Sequence, residues 1–175
     1  TQVMFRIHPA YLQNVERMRD IENVFGDSKS ADLHLMRPIV ADLHRKDYIV
    51  TEEDREFMPT MFRSCDVTIS IMSTWMIESS IFDKPNICVE YGRYVTELYD
   101  FDLSEYNAEH IARIFSYDAV YRVRSAKELI ETIAYALGHP EERHDARKRL
   151  ATAETGPNKG AARQVFLANI LKIIK

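Results

Sequence analysis

Glycine and cysteine are scarce in this sequence, and the motifs that depend on them are absent. Among 175 residues there are five glycines and two cysteines. No G-x-G-x-x-G and no P-loop occurs, so neither the dinucleotide fingerprint nor the Walker phosphate loop supports a function. Cys65 and Cys88 form no metal or redox motif. We interpret both as small core residues in a reducing compartment.

Long apolar runs are also missing. No stretch approaches the roughly 18 residues that a membrane-spanning helix requires, and no signal-peptide pattern opens the sequence. Hydrophobic content of 46% and charged content of 29% are ordinary for a globular protein. We therefore expect one cytoplasmic domain over residues 1–175, large enough to bury a core. Because Thr1 directly precedes a strand-like segment, we expect this domain to be cut from a longer, two-domain protein.

The net charge of −4 conceals an asymmetry along the chain. From Arg143 onward there are eight Lys or Arg residues and two acids, a net charge of +6 against −10 for the residues before it. A basic region of this kind suits a diphosphate, an anionic membrane at the inner face of the cell or an acidic partner domain, and it is equally typical of a solvated helix face. It lacks the interleaved aromatic residues of a stacking surface, so we expect no nucleic acid as a partner.

Short apolar runs alternate with helical periodicity along most of the chain. Strands are predicted at 3–7, 66–72, 86–90 and 119–123, and helices at 10–24, 51–64, 75–82, 107–115, 126–137, 140–153 and 161–174. Residues 26–50 are predicted as loop with one short strand. The last helix is predicted to bury Val165, Phe166, Ile170 and Ile173. This alternation predicts an α/β fold with a doubly wound, mostly parallel sheet and helices on both faces.

The most informative segment is 65–89, CDVTISIMSTWMIESSIFDKPNICV. A strand-like run ends at Ser73 and Thr74, a short helical pattern follows, and a Lys-Pro turn precedes a second run. In a parallel sheet, the polar turn then lies at the carboxyl end of a strand, where such folds bind ligands. Hydroxyls and backbone N–H groups at a helix start suit a phosphate, but Ser and Thr also serve as plain helix caps.

Glu78 adds a second feature to this turn. It lies four residues after Thr74 and five after Ser73, whereas the acid of a capping box follows its cap by three. It falls one turn along the helix, on the face of Thr74. A carboxylate there suits hydrogen bonds from vicinal hydroxyls such as those of a ribose. A solvated surface Glu is the alternative interpretation.

Three further residues are candidates for the same site. His8 ends the first predicted strand; if that strand is parallel to 66–72, its imidazole lies at the edge of Ser73 and can donate to a phosphate or act as an acid or base. Arg163 follows the GPNKG turn and can clamp a phosphate bidentately. His110 lies in an aromatic segment. Each is also compatible with a turn or solvated position. The remaining histidines show no metal-ligand spacing, so no metal and no cofactor is expected.

Taken together, the motifs resemble a known family. In order they are His8-Pro9, the acidic helix start Glu53-Asp54, the 65–89 segment, AVYRV followed by SAKELIETIAYALGHP, RKRL and GPNKGAAR. This arrangement resembles the donor-binding half of GT-B glycosyltransferases. It looks most like the bacterial family of capsule and cell-wall polymer transferases that includes CDP-glycerol glycerophosphotransferases. The resemblance covers nearly the whole chain.

The resemblance implies a Rossmann-like, carboxyl-side domain that binds a CDP- or UDP-linked donor for surface polysaccharide or teichoic-acid-like polymer synthesis. It implies a separate amino-side acceptor domain, without which we expect this segment to be inactive. The residues that it assigns to the donor site are His8, Ser73 and Thr74 at the diphosphate, Glu78 at the ribose, and Arg163 and His110 as further contacts. His8 and the hydroxyls would stabilise the leaving nucleotide without a metal.

Two other functions remain open. A nucleotide-sugar 2-epimerase shares this architecture, and it requires catalytic carboxylates opposite the donor site. A non-catalytic interaction module of the receiver type is also doubly wound. It requires acids at strand ends around a phosphorylatable Asp, whereas the predicted strand ends here are His8, Met72 and Glu90.

Overall fold

The computed structural model describes residues 1–27, 31–44, 47–91, 109–157 and 160–173. Over these ranges the chain is α/β, with helices and strands interspersed along its length. It divides into two compact units, Thr1–Met61 and Phe62–Lys175. The prediction of one nucleotide-binding domain taken from a longer protein stays a prediction.

The amino-terminal unit contains two small two-stranded sheets. Its elements in chain order are β1 (Val3–Arg6), a 3-10 helix (Pro9–Gln13), α1 (Val15–Asp27), β2 (Leu33–Met36), β3 (Val40–His44), β4 (Asp47–Val50) and the greater part of α2 (Glu52–Ser64). Strands β1 and β2 pair in parallel, and β3 and β4 pair antiparallel. Strand β1 confirms the strand predicted at 3–7, although its parallel partner is β2 and not the strand predicted at 66–72. The antiparallel hairpin lies in a segment predicted mainly as loop.

A break at Asn14 divides the single helix predicted over residues 10–24. The backbone N–H of Asn14 donates to the carbonyl of Tyr11 at 2.9 Å, which ends the 3-10 helix. Its side-chain oxygen accepts from the N–H of Arg17 at 2.9 Å and caps α1. The apolar periodicity continues through this residue, and periodicity alone therefore predicted one helix.

A buried ion pair connects β1 with the start of α2. Arg6 donates to Asp54 at 2.6 Å, and both side chains are less than a tenth exposed. The second carboxylate oxygen of Asp54 accepts from the N–H of Ile39 at 3.0 Å. The backbone N–H of Asp54 donates to the Thr51 hydroxyl at 3.2 Å. Thr51 therefore caps α2, at the start predicted for this helix.

The carboxyl-terminal unit is built on a three-stranded parallel sheet in the order β5-β6-β7. Its elements are β5 (Thr68–Ser70), α3 (Trp75–Ile81), β6 (Asn86–Val89), α4 (Glu109–Ser116), β7 (Val120–Val123), α5 (Ala126–Gly138), α6 (His144–Thr155) and α7 (Ala162–Ile173). Each strand is followed by a helix. All three strands lie within or overlap the predicted runs, although β5 is shorter than predicted.

Helices cover both faces of this sheet. On one face, Cys88 of β6 packs in a cluster with Met76 of α3 and Leu150 of α6. On the other face, Ile87 packs with Ala136 of α5. Ile87 and Cys88 face opposite sides because consecutive side chains in a strand alternate. Three parallel strands covered in this way are compatible with a Rossmann-like fold, and the doubly wound topology stays a prediction.

The turn after α3 is held by a buried arginine of α6. Arg147 is 1% exposed. It donates to Asp83 at 2.7 Å, to the carbonyl of Glu142 at 2.6 Å and to the carbonyl of Pro140 at 2.7 Å. His144 also contacts Asp83, at 2.8 Å. Partial burial raises the pKa of Asp83, but the hydrogen bonds and charges of Arg147 and His144 outweigh it and leave that pKa below its ordinary value.

The apolar residues of α7 are the main departure from the predicted core. Phe166 is 64% exposed, Leu171 61% and Ile173 84%, and no residue of α7 is buried. The prediction that one side of α7 is buried in a core is therefore wrong for the described residues. Within the described ranges, no helix combines the length and apolar character needed to cross a membrane.

Replacing Arg147 tests its role in the fold. We expect Arg147→Met to lower the free energy of unfolding by about 3 kcal/mol, because it leaves two carbonyls and part of a carboxylate without their donor. Arg149→Ala, an exposed arginine of the same helix, should change stability by less than about 0.5 kcal/mol. Urea unfolding monitored by circular dichroism measures both. Equal effects of the two substitutions would contradict the anchoring role.

Candidate functional site

The candidate site lies at the carboxyl edge of the three-stranded sheet. Because β5, β6 and β7 run parallel, their last residues lie at one edge, and the chain leaving each strand begins there. The turn that carries Ser73 and Thr74 connects β5 to α3 at this edge. Its position is the one at which open parallel sheets bind ligands.

Ser73, not Thr74, accepts the hydrogen bonds from the first backbone N–H groups of α3. The Ser73 hydroxyl oxygen accepts from the N–H of Trp75 at 3.0 Å, and its carbonyl accepts from the N–H of Met76 at 3.2 Å. Thr74 has helical backbone angles and makes no capping bond through its side chain. Two N–H groups at the helix start therefore already have partners within the turn. A phosphate here must be held by hydroxyl protons rather than by those two amides.

Thr74 and Glu78 contact one another, as their spacing predicted. The Thr74 hydroxyl donates to the Glu78 carboxylate at 3.3 Å. Burial raises the pKa of Glu78, the hydrogen bond from Thr74 lowers it, and the balance leaves the pKa above its ordinary value. The carboxylate is thus short of hydrogen-bond donors for its charged form. A ligand that brings hydroxyl donors supplies what this carboxylate lacks.

The carboxyl end of β7 is closed to an anion by the side chains that cap α5. The Ser125 hydroxyl accepts from the N–H of Glu128 at 3.2 Å, and the Glu128 carboxylate accepts from the N–H of Arg124 at 2.6 Å. Ser125 thus caps α5, while Glu128 accepts from the residue before the cap and not from the N–H of Ser125 as in a capping box. Because this arrangement places a carboxylate at the helix start, the ends of β5 and β6 are the more open part of the edge.

A cluster that the sequence did not reveal joins the ends of β6 and β7. The Glu90 side chain is 7% exposed, and its carboxylate accepts from both Arg122 and Arg124. The Arg122 guanidinium lies 4.1 Å from the ring centre of Phe115, while Arg124 is 73% exposed. Arg124 therefore presents a solvated cation at the carboxyl edge. The signal of this pairing was the two-residue spacing of Arg122 in β7 and Arg124 just after it, and it becomes informative only when the strand register is known.

His8 belongs to the amino-terminal unit, whereas residues 73–78 belong to the other. Its Nδ1 accepts from the N–H of Ala10 at 3.3 Å and caps the 3-10 helix. Burial and the charge of Arg6 lower the pKa of His8, which favours the neutral imidazole at physiological pH. Since Nδ1 accepts, Nε2 carries the proton and is the atom that can donate.

The other two predicted residues lie at helix starts. His110 is the second residue of α4, and Arg163 is the second residue of α7; both are exposed. Lys159, which belongs to the GPNKGAAR motif, lies outside the described residues. Of the six predicted site residues, the structure brings together Ser73, Thr74 and Glu78.

No metal site is evident in the described chain. Among the residues that the structure describes, no three His, Cys, Asp or Glu side chains lie close enough together to hold a metal ion. No protein-family model matches this chain, and no curated protein or solved structure is significantly similar to it. The resemblance to GT-B transferases thus stays a prediction that depends on the motifs.

The pH dependence of stability tests the effect of burial on the Glu78 carboxylate. Because folding raises the pKa of Glu78 above 4.5, the value for an unperturbed glutamate, the native state loses stability as pH rises from 4.5 through the raised pKa. We expect Glu78→Gln to be more stable than the wild type at pH 7 and equally stable below pH 4.5. Glu141→Gln, at an exposed carboxylate, is the control for removing one negative charge. Urea unfolding between pH 4 and pH 8 measures the difference; a constant offset would contradict the effect of burial.

Proposed function

We propose that this chain is the donor-nucleotide-binding domain of a GT-B glycosyl- or glycerophosphotransferase of surface polymer synthesis. In this proposal, the three parallel strands form part of a doubly wound, Rossmann-like half. The observation that carries it is the contact of Thr74 with a half-buried Glu78 at the carboxyl edge of the sheet. A carboxylate with few donors gains most from a ligand that offers two adjacent hydroxyls, as the ribose of a nucleotide does.

The hydroxyls beside Glu78 suit the diphosphate of the same ligand. The Ser73 oxygen accepts from a backbone N–H, and its own proton is then available to donate to an anion. Thr74 donates to Glu78 in the described structure. When ribose hydroxyls take over that carboxylate, the Thr74 proton becomes available to the diphosphate as well. One turn of chain thus offers an acceptor for the ribose and donors for the phosphates.

In the proposed reaction, the bond from the donor group to the diphosphate breaks and negative charge accumulates on the leaving nucleotide. Donors held in place at those oxygens lower the barrier because they need no reorganisation during the reaction. Ser73 and Thr74 supply such donors, whereas the role that the resemblance implies for His8 stays a prediction. Arg163 and His110 are further contacts in the proposal. The acceptor is bound by a separate amino-side domain, so this segment binds the donor without transferring it.

Nucleotide binding tests this proposal directly. We expect the folded protein to bind CDP or UDP with a micromolar to millimolar dissociation constant, measured by calorimetry. The wild type should bind the 2′,3′-dideoxy analogue about tenfold more weakly, since the analogue leaves Glu78 without its partners. Glu78→Gln should lose most of that preference, whereas Ser73→Ala combined with Thr74→Ala should weaken both ligands alike.

Two results would contradict the proposal. One is a folded protein that binds no nucleoside diphosphate. The other is an unchanged preference for the ribose form in Glu78→Gln, which would show that the hydroxyls are recognised elsewhere.

We also propose an anionic membrane surface as a partner, with α7 as the contacting element. Its exposed residues include Phe166, Leu167 and Leu171. Its charged residues are Arg163 and Lys172, and the helix contains no acid. A helix with exposed apolar side chains and only positive charge suits the interface of an anionic bilayer, where the apolar groups enter the acyl boundary and the cations meet the head groups.

Vesicle sedimentation tests the membrane proposal. We expect the protein to sediment with phosphatidylglycerol vesicles and much less with phosphatidylcholine vesicles, and 0.5 M salt should weaken the binding. Phe166→Ser with Leu171→Ser should reduce the binding at least tenfold, because each side chain loses about 1.5–3 kcal/mol of apolar transfer. Ile130→Ser, at a 68% exposed residue of α5, is the matched control and should bind normally. The proposal would be refuted if the protein bound both kinds of vesicle equally, or if the double variant bound phosphatidylglycerol vesicles as well as the wild type does.

A further inference from the structure

A buried polar cluster lies between α3 and the sheet. Its members are Thr68 of β5, Ser79 of α3 and Asn86 of β6, which are 6%, 0% and 1% exposed. The hydroxyl oxygens of Thr68 and Ser79 are 2.8 Å apart, and the Asn86 side-chain amide donates to Thr68 at 2.8 Å. Thr68 is also within hydrogen-bond distance of the carbonyl of Pro85, at 3.1 Å. The cluster therefore ties one helix to two strands.

Burying these three polar groups brings little net stability. A hydrogen bond formed on folding replaces one to water, and apolar side chains of similar shape are often as stabilising. What polar groups add is direction, because a hydrogen bond is satisfied in only one orientation of its partners. Direction matters for α3, which is seven residues long and thus has only about two turns with which to define its own orientation.

Ser80 shows the contrast within the same helix. It is 4% exposed, yet its hydroxyl donates to the carbonyl of Met76 at 2.9 Å, inside α3. Ser79 makes the same kind of bond, to the carbonyl of Trp75 at 2.5 Å, but its hydroxyl oxygen also lies 2.8 Å from that of Thr68 on the neighbouring strand. Two adjacent buried serines therefore differ in whether they link the helix to the sheet.

We propose that Thr68, Ser79 and Asn86 act as a positioning cluster, which sets the rotation of α3 on the sheet and thereby holds Glu78 and Thr74 at the carboxyl edge. Glu78 precedes Ser79 and projects about 100° away around the helix axis. A rotation that separates Ser79 from Thr68 must change the depth at which Glu78 is buried. For its effect on nucleotide binding, this inference rests on the proposed function; for its effect on the carboxylate it does not.

The experiment compares Ser79→Ala with Ser80→Ala. Each substitution removes one buried hydroxyl, and urea unfolding should show similar losses of stability. NMR titration of the Glu78 side-chain carboxyl is the deciding measurement. In Ser79→Ala, we expect the titration midpoint to move toward that of an ordinary glutamate and the affinity for CDP or UDP to fall about tenfold. In Ser80→Ala, both should stay at their wild-type values.

Thr68 provides a second, nearly isosteric pair of variants. Thr68→Val removes the hydroxyl and keeps the volume, so we expect a folded protein in which Glu78 titrates as it does in Ser79→Ala. Thr68→Ser keeps the hydroxyl and should restore the wild-type titration. A Glu78 titration unchanged in both Ser79→Ala and Thr68→Val overturns the inference, whatever the nucleotide result. A shifted titration in a protein that binds no nucleotide supports the positioning cluster and overturns the proposed function instead.

Discussion

Parallel pairing of three very short strands is the constraint on which the carboxyl-terminal unit depends. Strands of three and four residues have few hydrogen bonds of their own, and parallel neighbours need a crossover between them. The crossovers contain helices, which cover both faces of the sheet and bury Cys88 on one face and Ile87 on the other. The same geometry that buries Ile87 and Cys88 therefore places the chain after β5 at an open edge. Without that pairing, Ser73 and Glu78 would be ordinary surface residues.

The carboxyl edge is electrically uneven, and this limits what it can bind. At the β7 end, Glu128 occupies the start of α5, and Glu90 is already paired with two arginines. At the β5 end, the Glu78 carboxylate is short of donors, the Thr74 hydroxyl already donates to it, and the Ser73 hydroxyl has a proton to offer. A ligand with both acceptor and donor groups fits this part of the edge better than a simple anion does. A phosphate joined to a hydroxylated sugar has that mixture.

The sequence predicted what depends on local pattern and missed what depends on register or solvent. The runs at β5, β6 and β7 were predictable because each is a short, largely apolar segment bounded by polar turns, and the contact of Thr74 with Glu78 followed from helical spacing. The β3–β4 hairpin was missed because its strands carry polar residues and a bulge between Val40 and Asp42. Burial of Arg147 was invisible in a charged helix, as its carbonyl partners belong to other segments. The exposure of α7 could not be predicted either, since the sequence does not show whether another element packs against an apolar residue.

The bond between Arg147 and Asp83 joins positions 64 residues apart. Contacts of such long sequence separation form late, because closing the intervening loop costs entropy before any contact is gained. The turn after α3 is therefore completed only when α6 has been synthesised and has packed against it. During translation, the segment with Ser73, Thr74 and Glu78 emerges early but reaches its final position only after the basic half of the unit has followed. The contacts that complete this turn thus wait for α6, although Ser73, Thr74 and Glu78 are among the first residues of that unit to leave the ribosome.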